Sequence, residues 1–118
     1  MPIKDDLQKI IQGEILDDSE TLTKYSHDAS IFEIKPKIVV FPKNSQDIKA
    51  VVKFATKNKL SIIPRCAGTD MSGGAIGEDI ILDVSKYLNK LISLEDNLTI
   101  VEPGMFYRDF EAETLKKG

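Results

Sequence analysis

The residues best placed for chemistry are Pro64-Arg65-Cys66-Ala67-Gly68-Thr69-Asp70-Met71-Ser72-Gly73-Gly74, a run of small side chains directly after an apolar stretch. Three of the chain's seven glycines fall there, with an alanine, a threonine and a serine among them. Glycine admits positive φ, and small side chains let the backbone come close to a ligand. Successive N–H groups in such a loop can converge on one anion and form a nest. Anion binding by main-chain amides is thus the chemistry this spacing offers, and a plain tight turn is its structural alternative. No Gly-Lys-Ser/Thr follows, so the loop is not of the Walker type. Gly-x-Gly-x-x-Gly, the dinucleotide fingerprint, is also absent.

Other reactive side chains are few. Cys66 is the only cysteine, so a redox role would lack a resolving partner. His27 is the only histidine and lies in a polar segment far in sequence from the loop, where a solvated surface residue is expected rather than a general base. Glu78, Asp79 and Asp83 have no histidine or cysteine partner at metal-ligand spacing. No residue in the chain is nominated as a catalytic base.

The elements that must position the loop follow from periodicity. Leu7, Ile10, Ile11 and Ile15 fall at helical spacing and predict a short amphipathic helix over residues 5–16. Residues 17–35 are polar and mixed, which predicts a surface connection without regular structure. Ile38-Val39-Val40-Phe41, closed by Pro42, is a continuous apolar run and predicts a buried strand. Ser45 is the expected N-cap of the next helix, with Asp47 in its first turn. On that helix Ile48, Val51, Val52 and Ala55 line one face, and Lys49, Lys53 and Lys57 the solvated one. Leu60-Ser61-Ile62-Ile63-Pro64 predicts a second strand, which completes a βαβ unit. The glycine-rich loop then leaves a carboxyl end of the sheet, where open α/β folds bind ligands.

Asp79-Ile80-Ile81-Leu82-Asp83 predicts a third strand, followed by a turn over residues 84–89. Leu91–Leu94 and Leu98–Val101 predict a hairpin around Glu95-Asp96-Asn97, closed by Pro103-Gly104. Residues 106–117 predict a helix anchored by Phe106, Phe110 and Leu115, with Gly118 as its C-cap. There is no internal repeat and no low-complexity segment.

The whole chain has 118 residues, 42% hydrophobic and 30% charged, as expected of one globular domain or part of one. A net charge of −3 and a pI near 5.2 give no electrostatic footprint for nucleic acid. No apolar run reaches the ~20 residues needed to span a bilayer. The N-terminus lacks the apolar region of a signal peptide, and a lone cysteine suits a reducing compartment, so the expected location is cytoplasmic.

Several motifs in order resemble the FAD-linked oxidases of the vanillyl-alcohol oxidase and p-cresol methylhydroxylase superfamily. Arg65-x-x-Gly68-Thr69-x-x-Ser72-Gly73-Gly74 is similar to their pyrophosphate loop, most of all in the glycolate oxidase and D-lactate dehydrogenase branch. Ile38–Ile48 resembles the family's opening valine-rich strand and Pro-x-Ser/Thr, and Ile80–Ser85 its apolar-Asp-x-Ser strand. Val101-Glu102-Pro103-Gly104-Met105 resembles its Val-x-Pro-Gly turn, and Tyr25 with Asp28-Ala29-Ser30 matches residues that often precede these elements. The resemblance covers roughly residues 20–118.

The resemblance implies an α+β fold, with a small parallel or mixed sheet, a βαβ unit and flanking helices. Residues 1–35 would form the N-terminal helix and connection, and residues 36–118 the pyrophosphate-loop part of the FAD-binding domain. The cofactor implied is FAD, held at its diphosphate by Arg65, Cys66, Ala67, Gly68 and Thr69 in a first bend and by Ser72 and Gly73 in a second. Pro103 and Gly104 approach the cofactor in the family; here they equally suit a plain strand-ending turn. Arg65 can reach a phosphate or bond nearby carbonyls, and Pro42 and Pro64 can border the adenosine or simply end strands. Thr69 stands where covalent members often carry histidine, which implies non-covalent FAD.

The parent activity implied is oxidation of a small 2-hydroxy acid. The second flavin subdomain and the cap domain lie outside these residues and would be supplied in cis or in trans. The alternatives are a non-catalytic nucleotide-binding or interaction module, and a same-fold enolpyruvyl-UDP-N-acetylglucosamine reductase.

Overall fold

A computed structural model describes residues 2–118. Its core is a four-stranded mixed sheet in the order β1-β2-β4-β3, formed by Glu14–Leu16, Ile38–Phe41, Ile80–Asp83 and Ile62–Arg65 respectively. β1 runs antiparallel to β2, with Ile15 opposite Val40. β4 is parallel to both neighbours, with Ile80 opposite Ile38 on one side and Ile62 on the other. The helix α3, Ser45–Asn58, connects β2 to β3. The predicted βαβ unit therefore exists in split form, because β4 enters between its two strands.

Every residue of β2 and β4 is buried, so both faces of the sheet need a cover. Strand alternation divides the work. Ile38, Val40, Ile80 and Leu82 face a core completed by Leu7, Ile15, Val51 and Ala55. Val39, Phe41 and Ile81 face a second core with Tyr25, against which Leu16, Leu22, Ile63 and Tyr87 pack.

That second cover corrects the expectation for the first third of the chain. The first helix, α1, ends early, at Ile3–Gln8, and Ile15 belongs to a strand rather than to its apolar face. Residues 17–35 are not irregular throughout, because Ser19–Lys24 forms α2, capped by the Asp18 side chain on the amide of Thr21. The N-cap of α3 is Asn44, not Ser45, since its Oδ1 accepts from the Asp47 amide at 2.9 Å. Asp47 is itself buried and accepts from the amides of Gln12 at 2.9 Å and Lys43 at 3.0 Å, joining three segments. Val52 is exposed, and Phe54 packs against the core instead.

Leu91–Leu94 (β5) and Thr99–Val101 (β6) form the expected antiparallel pair, and Tyr107–Leu115 forms α4. The anchors expected on α4 are not buried: Phe106 and Leu115 are 53% and 71% exposed, and no residue of the helix is buried.

Candidate functional site

The loop begins where β3 ends, at Arg65, and Ala75 closes it before the chain enters β4. Gly68 and Gly73 take positive φ, +68° and +86°, which places a left-handed bend in each half of the loop. A Cβ at Gly68 would lie 2.3 Å from Arg65 Nη2, and one at Gly73 would lie 3.1 Å from Phe32. Both positions are thus closed to larger residues by conformation and by neighbours.

The second bend is organised by a carboxylate that sequence reasoning passed over. Asp70 Oδ1 accepts from the amides of Ser72 at 2.6 Å and Gly74 at 3.0 Å. The signal for it was present, since Asp before Ser-Gly-Gly is an Asx-turn pattern. In the first bend, by contrast, the amides of Cys66, Ala67, Gly68 and Thr69 donate to no acceptor among the described residues. These four residues line a shallow cavity of about 220 Å³ with Pro64, Arg65, Asp70, Gly74 and Ala75.

The base of the loop is held by side chains from distant segments. Arg65 Nη1 donates to the carbonyls of His27 at 2.7 Å and Ala75 at 3.2 Å, and its guanidinium lies 4.9 Å from the centre of the Tyr25 ring. Of the two roles open to Arg65, the carbonyl-bonded one is the arrangement seen. Tyr25 donates from its hydroxyl to Asp83 Oδ2 at 2.6 Å, and Asp83 Oδ1 accepts from the amide and hydroxyl of Ser85. Burial first, and then the bond to Asp83, pushes the Tyr25 hydroxyl well above its ordinary value, so it remains a donor. Asp28 accepts from Ser30 at 2.9 Å and from Ala75 at 3.3 Å. The bonds from Ser30, then that from Ala75 and the nearby Arg65 charge, hold its carboxyl below the usual range.

The Pro103-Gly104 turn, distant in sequence, comes up against the first bend: the Cys66 thiol donates to the Pro103 carbonyl at 3.3 Å. Gly104 is needed there for space. Its Cβ would lie 2.1 Å from the Val84 carbonyl oxygen, and its amide donates to Leu88 O at 2.7 Å. Burial raises the Cys66 thiol above its ordinary value, and the Asp83 charge adds to this, which disfavours the reactive thiolate. Arg65, Cys66, Ala67, Gly68 and Thr69 thus gather with Pro103 and Gly104 at one end of the sheet, and Ser72 and Gly73 occupy the adjoining bend.

The His27 side chain is exposed and lies 3.6 Å from Glu33, while its carbonyl accepts from Arg65 at the base of the loop. Asp79 serves structure, bonding Lys37 at 2.6 Å and the Ser61 amide at 2.8 Å. Among the described residues there is no cluster of metal-ligating side chains and no helix long and apolar enough to cross a membrane.

Whether this donor set suits the diphosphate of FAD is testable on the loop itself. In the second bend the amides of Ser72 and Gly74 already have Asp70 Oδ1 as their acceptor, so that bend is closed on an internal carboxylate and shapes the loop rather than supplying these two donors. The first bend offers four amides without a protein partner, beside glycine and alanine rather than bulky side chains. The first bend fits the group, with the acidic Asp70 lining the same cavity.

Residues 36–118 match the family described as FAD binding domain. The chain is 36% identical over 84 residues to the mitochondrial D-lactate dehydrogenase (cytochrome) of Kluyveromyces lactis, covering 67% of this chain and 14% of that protein. It is 29% identical over 121 residues to the glycolate oxidase subunit GlcD of Bacillus subtilis, covering 98% of this chain and 26% of that protein. Among solved structures, p-cresol methylhydroxylase shares the fold with a TM-score of 0.74 at 23% identity, over 87% of this chain and 22% of its own. The chain therefore spans about a quarter or less of the length of these relatives.

Proposed function

Because this chain belongs to the FAD binding domain family, we propose that its glycine-rich loop holds the FAD diphosphate through main-chain amides, as part of an oxidoreductase acting on 2-hydroxy acids. The observation that carries this is the set of four free amides, Cys66 to Thr69, lining a cavity beside the Pro103-Gly104 turn. Amides neutralise a diphosphate at close range without burying lysines. Cys66, Ala67, Gly68 and Thr69 take one phosphate, Ser72 and Gly73 border the other, and Pro103 and Gly104 close the opposite side. Arg65 acts beneath the loop, through the carbonyls it already bonds.

Bound FAD supplies the two-electron acceptor for oxidation of a carbon–hydroxyl group. This chain's part is to bind and orient it. This loop holds FAD without a covalent link, because Thr69 offers no imidazole for one. The 2-hydroxy acid class rests on the relatives, named D-lactate dehydrogenase and glycolate oxidase subunit. The rest of the flavoprotein, in cis or in trans, supplies the flavin-ring pocket and the substrate contacts. Ile92 on β5, Leu98 in the turn before β6, Ile100 on β6 and Phe106 before α4 are exposed apolar side chains that it can cover. The setting proposed is cytoplasmic, in keeping with a free cysteine at position 66.

The test is direct. ADP titrated into the isotopically labelled chain should shift the amide resonances of residues 66–74, and FAD should bind weakly, leaving the dialysed protein nearly colourless. No shift in that loop would refute the diphosphate assignment. In the completed flavoprotein, acid precipitation should release all flavin, and D-lactate or glycolate should bleach it without oxygen. Bleaching by NADPH with none by hydroxy acids would instead indicate a reductase.

A further inference from the structure

Ala75 is the residue that closes the loop, and both of its backbone groups are taken by side chains from other segments. Its carbonyl accepts from Arg65 at 3.2 Å, and its amide donates to Asp28 at 3.3 Å. Arg65 stands at the loop's other end, so one guanidinium spans the mouth from entry to exit. The same nitrogen reaches the His27 carbonyl at 2.7 Å, tying that span to the segment that carries Asp28. Beneath it lies the Tyr25 ring, anchored through its hydroxyl to Asp83 at the end of β4. The guanidinium also lies where a Gly68 side chain would project, so the first left-handed bend rests on it.

We propose that Tyr25, Asp28 and Arg65 form a brace that holds the two ends of the loop at the spacing a diphosphate requires. They are positioning residues, acting through Ala75 and Gly68. This rests on the diphosphate assignment made above. A loop containing three glycines has many unbound conformations, and fixing it beforehand removes an ordering cost from binding. The brace also gives residues 25–30 a part in the cofactor site, although they precede the loop by more than thirty positions.

The test uses the intact chain and its Asp28→Ala, Asp28→Asn and Tyr25→Phe variants, with amide hydrogen exchange and ADP titration on each. Asp28→Ala should speed exchange at Ala75 by about tenfold or more and weaken ADP by about tenfold, while β2 and β4 amides keep their protection. Asp28→Asn, which keeps one good acceptor, should recover part of both. Tyr25→Phe keeps the ring under Arg65 but frees it from Asp83, and decides the matter if Asp28→Ala does not fold; it should move the same two readouts. If the parent binds ADP at the loop and the folded variants match it in both readouts, the brace is overturned and the diphosphate assignment stands. If the parent shows no ADP response at residues 66–74, the assignment falls, and the brace's role toward the cofactor falls with it.

Discussion

Gly104→Ala isolates a purely steric requirement of the site. Gly104 does not sit at positive φ, so its replacement imposes no conformational strain. It imposes a collision. The new methyl would lie 2.1 Å from Val84 O and 2.7 Å from Leu88 O, both backbone atoms that cannot swing aside. A carbon–oxygen contact relaxes only near about 3.3 Å, so the turn must retreat by roughly 1 Å. That retreat gives up the Gly104–Leu88 hydrogen bond, now 2.7 Å, and draws Pro103 O away from the Cys66 thiol. One net hydrogen bond is worth about 1 kcal/mol and overpacking costs about 1–3, so the loss is about 2–4 kcal/mol. For a chain of this size that lowers Tm by roughly 10 °C.

The assay is thermal unfolding followed by circular dichroism, with ADP titration at a temperature where the variant is folded. Gly74→Ala is the comparison for stability only, because its methyl would meet a side chain, the Asp70 carboxylate at 2.9 Å, rather than backbone, and would disturb just the exposed bonds of the second bend. The control should lose about 1 kcal/mol or less of stability. Equal Tm values for Gly104→Ala and the parent, with unchanged ADP affinity, would refute both the packing and the placement of this turn at the site.

Three further outcomes are expected. Gly73→Val should leave the chain folded by circular dichroism but abolish ADP binding, since a β-branched residue resists φ +86° and meets Phe32. Parental ADP affinity in that variant would remove the second bend from the site. Asp47→Ala leaves the amides of Gln12 and Lys43 without their buried acceptor and should cost about 2–4 kcal/mol in urea unfolding. The Asp79 carboxyl is held down to about 2, chiefly by its bond to Lys37 and then by the Ser61 amide. Its contribution is thus full above the ordinary value of 3.8 and lost as pH falls through about 2. Asp79→Asn should flatten the acid limb of the stability profile in that window, and an unchanged limb would show that the pair contributes nothing.

Legibility in the sequence followed range. β2, α3, β4 and the β5–β6 pair could be read because each is marked within a few residues by an apolar run, a cap or a turn. The loop could be read for the same reason, as its glycines mark their own bends. Asn44 was missed because Asn and Ser are both good N-caps and stand side by side. The strand at Glu14–Leu16 was missed because Leu7, Ile10, Ile11 and Ile15 fit a helical stripe, and only the free edge of β2 converts Ile15 into a strand residue. The second cover was partly foreseeable: four consecutive apolar residues in each of β2 and β4 demand burial on both faces, and α3 can cover only one.

The loop's donors were therefore written locally, whereas what fixes them was not. Tyr25 and Asp28 lie 58 and 47 positions from their partners Asp83 and Ala75, and no local spacing announces either pairing. Each has an ordinary local use: Asp28 caps Ser30, Asp83 caps Ser85, and Tyr25 packs edge-on against Phe41. The same carboxylates that end local turns also reach across the fold with their second oxygen, to Ala75 and to Tyr25. A carboxylate has two oxygens, and a turn needs only one of them. An aspartate that begins an Asx turn beside a glycine-rich loop is thus a candidate for a long-range bond as well, and Asp70, whose Oδ1 serves two amides of its own bend, shows the purely local case.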